Sequence, residues 1–156
     1  MSRRGFAKIR VTILLPALQR AGSERAVSLL ANAWAEQGKQ VSILTLDSPS
    51  DFPYPLHPAV QSRGLGLNSE SKSFLEGLVH NIRRIRILRR AIRETQPDVV
   101  IGFLRGTNII TVLATRWMGT PVIISERTDP SRFKLRGIWR ALEILTYPLA
   151  DALVCL

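Results

Sequence analysis

The sequence predicts an α/β fold in which a parallel β-sheet is covered by helices on both faces. Short apolar segments rich in β-branched residues alternate along the chain with segments whose apolar residues recur every three or four positions. Strands that alternate with helices of about 10 to 15 residues form right-handed βαβ units, and we expect about six or seven strands. The chain has 156 residues, of which 46% are hydrophobic and 22% charged, so one folded domain is expected.

The first predicted strand is a β-branched apolar run over Ile9–Leu15 that Pro16 ends. It is too short and too β-branched for the apolar core of a signal peptide. In the helix that follows, Ser23 is the predicted N-cap and Gly38 the predicted C-terminal cap. The second strand is predicted over Val41–Leu46.

A stretch rich in proline and glycine, residues 47–73, predicts a loop that contains a short strand near Val60–Leu65. The longest helix is predicted over Phe74–Thr95, because its apolar residues recur at steps of three and four until Pro97.

The second half of the chain repeats the alternation of strands and helices. The predicted elements are a strand at Val99–Leu104, a helix at Asn108–Met118 closed by Gly119, a strand at Pro121–Ser125, a helix at Phe133–Tyr147 and a strand at Ala152–Leu156. The predicted core residues are Ile13, Leu15, Val41, Ile43, Val100, Ile101, Ile123 and Val154.

Three loops that follow predicted strands are candidate binding loops, because ligands of parallel sheets bind beyond the carboxyl ends of the strands. Their candidate residues are Ala21, Gly22, Arg105, Thr107, Asn108, Glu126 and Arg127. These backbone amides, cations and carboxylates suit a phosphate or the hydroxyls of a sugar, and an acid at a strand end suits general base chemistry. Neither a dinucleotide fingerprint nor a P-loop occurs. The same residue types also fit plain turns and helix caps, and spacing alone leaves that choice open.

The chain carries a formal charge of +10, from 22 Lys and Arg against 12 Asp and Glu, which favours a partner rich in phosphate. Five arginines on the longest helix form a predicted membrane surface: Arg83, Arg86, Arg90 and Arg93, with Arg89 beside them. A solvated arginine face is the alternative. The helix side predicted to pack on the sheet comprises Ile82, Ile85, Leu88 and Ile92. One cysteine and two histidines without partners at ligand spacing predict neither disulfides nor a metal site.

Four segments of the chain occur together in a recognisable order. They are Lys8–Pro16, Ala21–Val27, Pro97–Ile101 followed by Thr107 and Asn108, and Pro121–Pro130 followed by Ala150–Val154. In this order, over about Lys8 to Leu156, they resemble the N-terminal half of a GT-B glycosyltransferase of the retaining family 4 type. The resemblance implies a Rossmann-like domain over residues 8–156, preceded by a basic tail over residues 1–7, without the second domain that binds the nucleotide sugar.

The resemblance also implies transfer of a sugar from a nucleotide diphosphate sugar to an acceptor that is lipid-linked or a cell-envelope glycan, with no cofactor and no metal. This half would supply the acceptor side, so the chain alone is expected to be inactive, in the cytoplasm or peripheral at the inner face of the membrane. Two departures from the family pattern occur. Ala21 stands in place of a loop glycine, and Gly102–Arg105 lacks the histidine of many relatives, so no catalytic residue is assigned.

Two other classes of protein remain open at this point. One is a non-catalytic partner subunit of a split glycosyltransferase. The other is a basic nucleic-acid-binding α/β module, which is disfavoured because the chain lacks an RNA-binding aromatic motif and only 6% of its residues are aromatic.

Overall fold

A computed structural model gives the fold of most of the chain. The described residues are 8–17, 22–47, 53–67, 74–127 and 137–155, with the backbone alone for 74–80. The predicted basic tail over residues 1–7 and the candidate residue Ala21 lie outside them. The described strands form one sheet of six parallel strands, in the order β3-β2-β1-β4-β5-β6, which confirms the predicted fold class.

The elements follow the predicted alternation. The strands are β1 Arg10–Leu15, β2 Gln40–Thr45, β3 Gln61–Gly64, β4 Val99–Phe103, β5 Val122–Glu126 and β6 Ala152–Cys155. The helices are α1 Gly22–Glu36, α2 Phe74–Thr95, α3 Arg105–Thr115 and α4 Ile138–Thr146, and a 3₁₀ turn follows at Tyr147–Leu149.

The centre of the sheet is β1, which is hydrogen-bonded to β2 on one side and to β4 on the other. Ile13 lies opposite Ile43 of β2 and Ile101 of β4. The order in which the strands follow one another along the chain reverses between β1 and β4. Such a switch point opens a crevice beyond the carboxyl ends of the strands. The fold therefore directs attention to the edge of the sheet where β1, β4 and β5 end.

The two faces of the sheet have separate hydrophobic cores. On one face Ile13 and Val41 pack with Val27 of α1. On the other face Leu14, together with Val100 of β4, packs against α2 and α3. Because successive side chains of a strand point to opposite faces, two cores on neighbouring β1 residues place helices on both faces, as predicted.

Six of the eight predicted core residues are buried, and the other two lie in the last two strands. The buried six are Ile13, Leu15, Val41, Ile43, Val100 and Ile101. The prediction for Val154 is wrong, because 48% of this residue is exposed. β6 is at the edge of the sheet that the described strands form, and none of the described elements covers its side chains. Ile123, in the adjacent strand, is half-buried against the α1-side core.

Helix α1 ends as the sequence predicts, but it begins differently. Gly38 has a φ of 80°, its N–H donates to Ala35, and the N–H of Lys39 donates to Trp34, which together form a Schellman cap. Ser23 is not the N-cap, because the helix already begins at Gly22. Its hydroxyl donates to the Glu24 carboxylate instead (2.6 Å).

Helix α3 begins at Arg105, three residues earlier than predicted. Leu104 has a φ of 71°, and this left-handed turn takes the chain from β4 directly into the helix. Arg105, Thr107 and Asn108 therefore lie in the first turn of α3 and not in a loop. The helix also ends early, at Thr115, before a turn that contains Gly119 at a φ of 71°.

Candidate functional site

The carboxyl edge of the sheet holds the described candidate residues at the ends of three neighbouring strands. Gly22 begins α1 after β1, Arg105 begins α3 after β4, and Glu126 ends β5 with Arg127 directly after it. Since β1 pairs with β4 and β4 pairs with β5, these segments follow one another along the edge. A Cβ built at Gly22 would have no neighbour within 4 Å among the described residues, so its backbone is open to a ligand.

Arg105 lies between two carboxylates that come from different elements. Its Nε is 2.7 Å from Oε1 of Glu143 in α4 and 3.6 Å from Oε2 of Glu126 in β5. The side chains are 11%, 8% and 11% exposed for Arg105, Glu143 and Glu126. Arg140 contacts the other Glu143 oxygen at 2.9 Å. Removing one member of such a buried set would leave an uncompensated charge, so the cluster fixes Arg105 firmly.

Tyr147 connects Glu126 to Asn108. The Tyr147 hydroxyl donates to Oε2 of Glu126 at 2.8 Å, and Nδ2 of Asn108 reaches both the Tyr147 hydroxyl (3.4 Å) and the carbonyl of Ser125 (3.1 Å). The backbone N–H of Arg127 donates to the other Glu126 oxygen at 3.1 Å. Glu126 is thus held at both oxygens and cannot turn freely.

The hydroxyl of Tyr147 stays protonated at neutral pH. Burial raises the pKa of Tyr147 well above its usual range, the hydrogen bond with Asn108 lowers it, and the Glu126 carboxylate raises it further. A phenol that keeps its proton can donate to Glu126 throughout the physiological range.

Two buried polar atoms beside this network have no hydrogen-bond partner among the residues that the structure describes. They are Oγ1 of Thr107 and Oδ1 of Asn108. The Asn108 oxygen lies against Gly102, where an added Cβ would come within 2.9 Å of it. Gly102 is therefore the residue that makes room for the Asn108 amide.

Sequence reasoning missed Glu143, Arg140 and Tyr147, all on α4 or just after it. Their spacing of three and four residues places them on one helix face, and this was the available signal. The predicted helix over this region carried so many charges that these side chains did not stand out from an ordinary solvated face.

The network offers a carboxylate, an amide and a guanidinium at one edge, which are groups that bind sugar hydroxyls through hydrogen bonds. Within the described ranges, no group of three His, Cys, Asp or Glu side chains is placed to hold a metal ion.

The arginine surface on α2 differs in one residue from the prediction. Arg83, Arg86, Arg90 and Arg93 are exposed. Arg89 is half-buried and donates to the carbonyls of Ala114 (2.8 Å) and Leu113 (3.1 Å), so it joins α2 to α3 and is not part of an open surface.

The packed side of α2 also needs one correction. Leu88 and Ile92 are buried and Ile85 packs partly against the same core, as predicted. Ile82 is 45% exposed. Around the helix axis it lies close to Arg86 and Arg93, and away from the side on which Leu88 and Ile92 are buried.

An all-parallel sheet of this strand order, with a polar network at its carboxyl edge, defines a Rossmann-like domain of the type that forms the N-terminal half of GT-B glycosyltransferases. The chain belongs to the glycosyl transferase 4-like domain family, whose family model matches residues 21–156. The suspected family is thereby confirmed.

Three known proteins illustrate the similarity. The chain is 33% identical, over 149 residues, to the GalNAc-alpha-(1->4)-GalNAc-alpha-(1->3)-diNAcBac-PP-undecaprenol alpha-1,4-N-acetyl-D-galactosaminyltransferase of Campylobacter jejuni; the match covers 93% of this chain and 39% of that enzyme. The sucrose-phosphate synthase of Thermosynechococcus elongatus has a TM-score of 0.71 at 10% identity, covering 94% of this chain and 42% of that one. The lipopolysaccharide outer core galactosyltransferase WaaB has a TM-score of 0.65 at 14% identity, covering 92% and 38%.

The chain thus spans about two-fifths of the length of these relatives. In the parts of the chain that the structure describes, no helix is both long and apolar enough to cross a membrane.

Proposed function

We propose that this domain forms the acceptor side of a glycosyltransferase that moves a sugar from a nucleotide diphosphate sugar to a lipid-linked or cell-envelope glycan. The observation that carries the proposal is the buried network of Arg105, Glu126, Tyr147 and Asn108 at the carboxyl edge. Similarity to the Campylobacter enzyme, whose name specifies a PP-undecaprenol-linked glycan, supports an acceptor of this class.

In this proposal, Glu126 accepts a hydrogen bond from an acceptor hydroxyl. Arg105 and Tyr147 hold its carboxylate in one orientation, which fixes the position that the hydroxyl must take. Gly22 lets the backbone at the start of α1 approach the ligand closely. The proposed substrate-binding residues are Ala21, Gly22, Arg105, Thr107, Asn108, Glu126 and Arg127. None of them is assigned as a catalytic acid or nucleophile.

The test is a titration of the full chain with a short-chain prenyl diphosphate that carries N-acetylgalactosamine. Replacing Glu126 by Gln removes the charge and keeps the shape, and we expect binding to weaken about tenfold or more, as for loss of a charged hydrogen bond. The matched control is Glu36→Gln, which removes the same charge from an exposed carboxylate at the end of α1. Glu126→Gln binding as tightly as Glu36→Gln would contradict the proposal.

We also propose that the exposed arginines of α2 attract an anionic membrane surface. Arg83, Arg86, Arg90 and Arg93 lie on the outward side of a helix whose inner side is packed, so attraction comes from charge. Each cation near anionic lipid contributes about 1 kcal/mol. A lipid-linked acceptor lies in the membrane, so a surface that binds the membrane would bring the domain to its acceptor. The alternative, a nucleic-acid-binding surface, would show a steep salt dependence of binding to random duplex.

A further inference from the structure

Trp117 is an exposed aromatic side chain in a constrained position. It follows α3, 85% of it is exposed, and its φ is 62°, a left-handed conformation that few residues other than glycine adopt. The guanidinium of Arg116 lies 5.6 Å from the centroid of its ring. The turn therefore presents a large apolar ring with a cation beside it, although tryptophan is usually well buried in folded proteins.

Trp117 lies at the end of the arginine surface on α2. Trp117 and Arg93 line the same cavity of about 330 Å³, together with Gln96 and Met118. The hydrogen bonds of Arg89 to Leu113 and Ala114 fix α2 against α3, so the spacing between Arg93 and Trp117 is set by packed helices. The ring and the cations thus form one surface.

Ile82 marks the other end of this surface. It lies eleven residues before Arg93, which is close to three helical turns, so both side chains fall on one line about 16 Å long. Ile82 is 45% exposed, and Arg86 is exposed between the two ends. The outward side of α2 with the α3 turn therefore has an apolar group, then cations, then an aromatic ring.

We propose that Trp117 inserts into the boundary between headgroups and acyl chains of an anionic membrane, while Arg93 and Arg116 bind the lipid phosphates beside it. The inference rests on the proposed arginine surface and adds an apolar anchor to it. Charge complementarity identifies the partner, since Arg93 of α2 and Arg116, directly after α3, both lie beside the ring. Tryptophan favours this boundary because its ring is apolar and its N–H is polar.

This anchor also fixes an orientation. α2 ends three residues before β4 begins, so the helix runs from the carboxyl edge of the sheet to the opposite edge. With contacts at both Ile82 and Trp117, α2 would lie flat on the membrane. Trp117 lies at the amino edge of the sheet, beside Arg10 and Pro97, so the network around Glu126 lies at the far edge, beyond the Ile82 end of α2.

The experiment measures tryptophan emission of the full chain on vesicles of phosphatidylcholine and phosphatidylserine, with acyl chains brominated near the headgroup. The chain has three tryptophans, so each emission must be assigned by substitution. We expect quenching in the natural chain and in the control Trp139→Phe, and its loss in Trp117→Phe. We also expect Trp117→Gly to bind the vesicles about tenfold more weakly, since it removes the apolar ring area that the membrane would bury. Glycine tolerates the left-handed turn, so this variant keeps its fold.

Quenching that persists in Trp117→Phe, or unchanged vesicle binding of Trp117→Gly, would overturn the inference and leave the arginine surface in place. Quenching of Trp117 by single-stranded RNA and not by vesicles would overturn it in favour of a nucleic-acid surface. If the natural chain does not bind anionic vesicles, both the Trp117 anchor and the proposed arginine surface are overturned. The acceptor titration at Glu126 would be unaffected, so the two failures are distinguishable.

Discussion

Gly102 in β4 leaves the space that the Asn108 amide fills. An alanine there would place a Cβ 2.9 Å from Oδ1 of Asn108 and 3.1 Å from Oγ1 of Thr111. Both neighbours lie in the first turns of α3, which is packed against the sheet. At the scale of a single residue, the absent side chain is what lets the Asn108 amide reach Tyr147.

We predict that Gly102→Ala destabilises the domain by about 1 to 3 kcal/mol, because the added methyl overpacks a buried contact. The measurement is the free energy of unfolding in urea. The matched control is Gly106→Ala, where a Cβ would meet no atom of the described residues within 4 Å and alanine favours the first turn of α3. Equal stability of the two variants would show that the Asn108 amide moves aside without cost.

At the scale of an element, α2 has two functions on two sides. Its inner side, around Leu88 and Ile92, holds it on the sheet, and Arg89 holds it on α3. Its outer side carries the exposed arginines. Because the two sets of contacts do not share residues, the outer charges can be removed without loss of the packed core.

We predict that replacing Arg83, Arg86, Arg90 and Arg93 together by Gln weakens co-sedimentation with anionic vesicles and leaves the fold intact. Binding should also fade with salt, since the Debye length falls from about 10 Å at 0.1 M to about 3 Å at 1 M. The comparison variant replaces Arg3, Arg4 and Lys8 by Gln. If that variant alone loses vesicle binding, the basic N-terminus is the membrane surface instead.

At the scale of the whole molecule, the chain covers about two-fifths of the length of its relatives. The complete activity of those relatives is a property of their longer chains. We predict that the chain by itself binds nucleotide diphosphate sugars weakly and transfers no sugar, because the resemblance assigns most donor contacts to a second domain. Calorimetry with UDP-N-acetylgalactosamine checks this. Micromolar binding of this donor by the chain would contradict it.

The fold was largely predictable from the sequence, because strands buried in a parallel sheet are continuous apolar runs and the helices between them have apolar residues at steps of three and four. The apolar runs of β1 and β2 and the bounds of α2 appear directly in the sequence. Val154 was misassigned because an edge strand has the same apolar run as a central one, and only strand order tells them apart. The start of α3 depends on the left-handed backbone conformation of Leu104, and a leucine in the sequence gives no sign of that conformation.

The candidate site was only partly predictable. Glu126 and Arg105 could be placed at one edge by topology alone, because parallel strands end together. The part played by Glu143 and Tyr147 could not, since it depends on how α4 packs across α3 after the chain has folded. Contacts between distant elements leave little trace in local spacing.

The exposed edge strand has a consequence for how copies of this molecule behave towards one another. β6 has Leu153 and Val154 exposed, and its outer row of backbone donors and acceptors faces away from β5. Such an edge can pair with the edge of another chain and start aggregation. A net charge of +10 keeps the molecules apart by mutual repulsion. The basic character that suits a phosphate-rich partner therefore also protects the protein's solubility, and concentrated salt would remove that protection.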